Sequence, residues 1–189
     1  EYTNEAEALK VIEILREIPP RKDGSYPSVG VATFNITQRN LIRKKLLWLR
    51  NQPTEQEFAE KLTALEQAGL FIKNLENIQG DERDIIILSV TYGKKKDGKF
   101  VQSFGPLNQQ KGYKLLNVII TRAKEKIYVC NSIPEAVFLN YADALAQEQA
   151  NNRKAVLYAY LAYTKAVSEG NSQAMGEVLQ SLALYGNLR

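Results

Sequence analysis

The chain has 189 residues, 44% of them hydrophobic, enough for a real core and too many for a disordered segment. The 25 Lys and Arg against 21 Asp and Glu give a net charge of +4, compatible with a nucleic-acid partner but too small to demand one. Histidine is absent and Cys130 is the single cysteine, which excludes Ser-His-Asp and Cys-His chemistry, His-ligated metals and a disulfide framework. No apolar run approaches the roughly 18 residues of a membrane span and no signal peptide is visible, so the reducing cytoplasm is the expected compartment. The sequence starts at Glu1 without Met and reads as a piece of something longer.

The first element, NEAEALKVIEILREIPP, places Leu9, Ile12, Leu15 and Ile18 at helical spacing, with Asn4 as N-cap and Pro19-Pro20 as the stop. SVGVATF is a short β-rich run. NITQRNLIRKKLLWLRN then carries Leu41, Ile42, Leu46 and Leu49 on one face and a basic opposite face. Strand followed by helix starts an α/β pattern. TEQEFAEKLTALEQAG gives Phe58, Leu62 and Leu65, a helix closed by Gly69. LFIKNL is a second strand and ENIQGDER a loop. DIIILSVTY is apolar on both faces, as a central parallel strand must be when helices cover both sides. The runs VGVAT, LFIKN and IYVCN are expected beside it and parallel to it. GKKKDGKFVQSFGPLNQQKG is an excursion containing a hairpin, YKLLNVIITRAKEK reads as a helix, and IYVCNS as the fourth strand. Residues 1–134 therefore form an α/β domain, a parallel sheet flanked by helices. Residues 135–189 form a C-terminal helical extension, in which Val156, Tyr160, Tyr163 and Val167 share one stripe that reads as a packing face.

The excursion begins with GKKKDGKF, whose Gly93, Gly98 and Lys99 match the G-x-x-x-x-G-K spacing of a phosphate-binding P-loop. Phe100 stands where the Mg²⁺-holding Ser or Thr belongs, and FVQSFGPL alternates and then breaks instead of opening a helix. A solvated Lys-rich hairpin tip is the better reading, so a nucleotide site must lie elsewhere.

Three runs border the strands: FNITQRN (34–40), NIQGDERD (77–84) and LNVIITRAKEK (116–126). Ligands of open α/β sheets sit at the carboxyl ends of strands, where Phe34-Asn35 and Asn74 onward lie. Arg122 follows the apolar LLNVIIT, so it is either a fixed cation for an outside anion or the partner of a carboxylate in GDERD.

In order and spacing these runs resemble motifs IV, V and VI of superfamily 1 helicases, over about residues 28–132. The similarity is to the second RecA-like domain of the 5′→3′ branch, superfamily 1B. IQGDERDIIILSV is its most specific piece, supported by FGPLN followed by LNVIITRAKEK. The fold implied is RecA-like, of the P-loop NTPase type but without its own P-loop. The resemblance implies that ATP and Mg²⁺ are held mainly by a first RecA-like domain of the same parent chain, absent here. Arg122 resembles the motif VI arginine finger, and Arg39 the motif IV arginine that reaches the γ-phosphate. Gln38 beside it, and Gly80 and Glu82 of motif V, fall on the ATP side. Asn74, Gln79 and Asn35 fall on the nucleic-acid side, although Thr is common in the family where Asn74 stands.

The activity implied by the resemblance is that of an ATP-dependent helicase or translocase. This chain would be the C-terminal motor domain, supplying the arginine finger and part of the track for single-stranded nucleic acid, DNA ahead of RNA. Phosphoryl transfer needs fixed positive charge more than it needs histidine. Two other classes remain open. One is an ATP-independent nucleic-acid-binding module using Arg43, Lys44, Lys45 and Arg50, and the other is a purely structural α/β domain.

Overall fold

A computed structural model describes residues 2–78, 80–94, 97–100, 104–105, 112–147 and 153–186. The chain divides into two compact units, one of residues 1–92 and 117–132, the other of residues 93–116 and 133–189. The sheet lies in the first unit. The excursion after Gly93 belongs with the C-terminal helices and not with the sheet.

In the first unit, α1 (Glu5–Glu17) starts at Asn4, whose side chain accepts a hydrogen bond from Glu7 N. Its buried face is Ala8, Val11, Ile12, Ile14 and Leu15, continued by Ile18. Leu9, assigned to that stripe from its spacing, is exposed, because the face is centred on Ala8 and Val11. Strand β1 (Val29–Thr33) leads into α2 (Ile36–Arg50), capped by Asn35, and α3 (Gln56–Gln67) comes after a short 3-10 turn. Strand β2 (Phe71–Asn74) is succeeded by β3 (Arg83–Gly93) with no intervening α-helix among the described residues. The last strand is β4 (Ala123–Ser132), after α4 (Gly112–Ile120).

The sheet order is β2-β1-β3-β4. Strand β1 pairs in parallel with both neighbours, Val31 facing Ile72 on one side and Ile87 on the other. Strand β4 runs the same way beside β3. Arg83 N donates to Arg122 O at their starts, and Asn4 Nδ2 reaches both Thr91 O and Ser132 Oγ near their ends. DIIILSV is thus central as expected, but LFIKN is separated from it by β1. One face of the sheet presents Val29, Val31, Ile85, Ile87 and Cys130 to a single core with α1, α2 and α3. On the other face Ile86, Leu88 and Val90 are equally buried.

The expected helix through TRAKEK stops short. Helix α4 ends at Ile120, and Ala123–Lys126 are strand. These residues favour helices by themselves, but the ladder with β3 recruits them, and tertiary pairing overrides local preference.

In the second unit, Lys94 and Phe100 form an antiparallel bridge, the pairing expected of a hairpin and not of a P-loop, while Lys95 and Lys96 between them lie outside the described residues. Phe104 is fully buried and meets Tyr158 of α7 (Arg153–Ser168) edge-on at 6.0 Å. The helices α5 (Glu135–Phe138), α6 (Tyr141–Gln147) and α8 (Ser172–Gly186) also pack on α7. The described buried residues of α7 are Ala155, Leu157, Tyr158, Ala159, Leu161, Ala162 and Ala166. The Val156–Val167 stripe, expected to be the packing face, turns away from the centre of that arc, and Val156 and Tyr163 are only partly buried. Val167 is exposed, and Tyr160 is only half-buried, though desolvation pushes its hydroxyl up to about 12.

Candidate functional site

The residues singled out from the sequence gather at two corners of the first unit. Gln79 lies outside the described residues. The first corner is at the amino ends of β3 and β4. Gly80 turns there with φ +91°, a left-handed conformation that suits glycine, and open space surrounds the position of its missing Cβ. Asp81 pairs with Lys73 at 2.6 Å, and this hydrogen bond holds its carboxyl below the ordinary value. Glu82 is half-exposed, 3.9 Å from Arg122 Nη1 and 4.0 Å from Lys124 Nζ.

Arg122 is mounted by backbone and side chain together. Its N–H donates to Ile119 O, its carbonyl accepts from Arg83 N, and its Nε donates to Val118 O at 3.1 Å. The turn between α4 and β4 therefore fixes the guanidinium, while among the described residues its Nη1 meets a loosely held carboxylate, that of Glu82. An ion pair of this length between partly exposed groups contributes about 0–1 kcal/mol. The partner in GDERD foreseen as one of two readings for Arg122 is Glu82. Next to it, Asp84 accepts from Ser28 N and contacts Arg21 at 3.1 Å, and its pKa is lowered first by the Ser28 bond.

The second corner is at the carboxyl ends of β1 and β2. Arg39 donates to Asn40 Oδ1 from Nε and Nη2, and to Asn74 Oδ1 from Nη1 at 3.4 Å. Among the described residues no carboxylate pairs with it, so its charge is held by neutral amides and remains available to an outside anion. Asn74 is buried and also accepts from Asn77 Nδ2. Gln38 is fully buried, and both amide atoms are engaged with Asn4. Asn35 accepts from Gln38 N and donates to Tyr2 O. The pairing of β1 with β3 sets the two corners apart. Arg83 and Ser89 mark them on β3, roughly 20 Å from each other at about 3.3 Å per residue.

The model of the family described as AAA domain matches residues 1–133, which takes in all three motif runs. The chain belongs to the AAA domain family. This AAA domain is 42% identical over 125 residues to a protein of Mycoplasma genitalium named as an uncharacterized ATP-dependent helicase, and 41% identical over 125 residues to its homolog from Mycoplasma pneumoniae. Each alignment covers 66% of this chain and 11% of the relative, so the AAA domain aligns with about a tenth of the length of those curated proteins. The helicase resemblance drawn from the three runs stands with these matches, and so does the α/β fold with its parallel sheet.

Sequence reasoning missed Lys124, Thr37 and Glu7. Lys124 falls in the run expected to be helix, but strand geometry brings it to Glu82. Thr37 donates to Tyr2 O at 2.8 Å. Glu7 is buried among Ser89, Thr91 and Asn4. The available signal was its place four residues before the buried Val11, on the apolar face of α1. The basic face of α2 is largely engaged: Arg43 donates to Ile72 O, Arg50 pairs with Glu66 and Lys45 with Glu5. Among the described residues no helix is long and apolar enough to cross a membrane.

Proposed function

We propose that this AAA domain is the second RecA-like motor domain of an ATP-dependent superfamily 1B helicase or translocase. It would work in the cytoplasm on single-stranded nucleic acid, DNA ahead of RNA, against a first RecA-like domain of the same parent chain that holds ATP and Mg²⁺. Arg122 is the arginine finger of that reading; Arg39, which the resemblance also puts on the phosphate side, stands at the other corner, roughly 20 Å away along β3, so direct contact of both with one γ-phosphate is not part of the proposal. In this reading Gly80 and Glu82 flank the nucleotide, and Asn74 and Asn35 serve the nucleic-acid track, a role the resemblance also gives to Gln79.

The observation that carries the reading is the mounting of Arg122. A guanidinium fixed through Nε, with its Nη atoms against a weakly held carboxylate, can exchange that carboxylate for a phosphoryl oxygen at little cost. Such a group stabilises the spreading charge of phosphoryl transfer without reorganising. The ATP-independent alternative is weakened, because three of its four cations already have partners inside the chain.

Replacing Arg122 by Ala in the full-length protein tests the proposal. We expect kcat for ATP hydrolysis to fall by roughly 10³, about 4 kcal/mol, with a much smaller change in apparent ATP affinity. Arg122→Lys should not rescue it, since an ammonium lacks the planar fork. Thermal unfolding of the variant should shift by no more than the ~1 kcal/mol of an exposed ion pair. Near-normal ATPase, or a domain that melts, refutes the finger assignment.

A further inference from the structure

Residues 2–4 are held at the start of α2 by three side chains of the TFNITQR run. Gln38 forms a two-point contact with the backbone of one residue: its Oε1 accepts from Asn4 N at 2.7 Å and its Nε2 donates to Asn4 O at 2.9 Å. Asn35 Nδ2 donates to Tyr2 O at 3.1 Å, and Thr37 Oγ1 donates to the same carbonyl at 2.8 Å. Asn35 also caps α2, so a single side chain joins the entering chain to the first turn of the helix. Asn4 is tied down from the opposite side by Thr91 O and Ser132 Oγ. Beneath it Glu7 accepts from Ser89 Oγ at 2.6 Å and from Thr91 N at 2.7 Å. Thr91 is the one non-glycine residue with positive φ among those described, at +74°, and this conformation is held in place by the same network.

Such a buried and fully partnered amide is not available to a nucleotide. Its neighbour in sequence is Arg39, whose N–H closes the first turn on Asn35 O. We propose that Gln38, with Asn35 and Thr37, is a latch that clamps the chain entering at Tyr2–Asn4 and so sets where Arg39 stands. Gln38 is then a positioning residue that acts through Arg39 and does not itself touch ATP. Displacing residues 2–4 from upstream would loosen the first turn of α2 and move the cation with it. The coupling rests on the proposed role of Arg39 on the phosphate side; the clamp itself does not.

The test uses the full-length protein with Gln38→Met, which keeps the volume and removes the two hydrogen bonds to Asn4 together with the one to Ser89 Oγ, and with Thr37→Val at a partly exposed position as the milder change. Hydrogen exchange read by mass spectrometry should accelerate in the peptide covering residues 2–10, and remain unchanged in peptides from α3. ATPase kcat should fall by roughly tenfold with little change in KM. In an Arg39→Ala background the same substitutions should cost nothing further, because residues that act as a unit are non-additive. Equal losses with and without Arg39, or normal kcat in both variants, overturn the positioning role. If Arg39→Ala alone leaves ATPase normal, the assignment of Arg39 falls and the coupling with it, while the exchange data still decide whether the clamp exists. Unchanged exchange at residues 2–10 overturns the clamp.

Discussion

Phe71 crosses over Gly30 in the sheet, and a Cβ built on that glycine stands 2.3 Å from Phe71 Cζ and 2.9 Å from Ile86 Cδ1. Gly30→Ala should therefore overpack the second face and lose about 1–3 kcal/mol, seen as a lower denaturation midpoint at constant m-value. Phe71→Leu in the same chain should recover part of the loss. Glu7 is a second residue with a clear expectation. Burial raises its carboxyl pKa above the ordinary value, against the pull of bonds from Ser89, Thr91 and Ser132. A carboxyl whose folded pKa is raised binds its proton more tightly in the folded chain. Its contribution is fully present below the unfolded pKa of about 4.5 and is lost as pH rises through the folded value. The stability of the native chain minus that of Glu7→Gln should thus decline with rising pH across that window. Asp81 and Asp84, with lowered pKa values, act in the opposite sense and are common to both chains, so the difference isolates Glu7.

Helix α3 ends at Gly69, with φ +103° and Leu70 N donating back to Leu65 O, the left-handed close expected of a C-terminal glycine. Gly69→Ala should cost about 1 kcal/mol in thermal unfolding, since an L residue is strained there and its Cβ would touch Arg83 Nε at 3.4 Å. This helix was fully legible in the sequence: its apolar spacing, its stop and its buried Phe58, Leu62 and Leu65 all agree with the structure. Strand β3 was legible for the same reason, being apolar at every core position. The junction of α4 and β4 was not. Ala123 to Lys126 carry a helical local preference, and only the long-range bond from Arg83 to Arg122 shows that the chain has already become strand. The candidate site divides along the same line. The motif strings are local and were visible, but the engagement of Gln38 depends on Asn4, 34 positions away, and no local pattern reports it.

At the scale of the whole molecule, the chain carries the cations of the proposed engine and lacks its phosphate cradle. Lys94 pairs with Phe100 where a P-loop would open a helix, and Arg39 and Arg122 stand at separate corners. Purified free of contaminants, it should show no measurable ATP turnover; turnover would sink the division of labour between two domains. Strand β2 has a further consequence, for self-association. It is one of the two outer strands, four residues long, and its Ile72 carbonyl is already taken by the Arg43 guanidinium at 2.9 Å. A bare strand edge recruits the edge of another copy, and long, flat, unprotected edges are where soluble chains begin to aggregate. Arg43 thus acts as a stopper on the sheet, as well as being part of a basic helix. Arg43→Ala should barely change the unfolding temperature, yet raise concentration-dependent light scattering, because the freed Ile72 carbonyl and the space left by the side chain give a second molecule a place to pair.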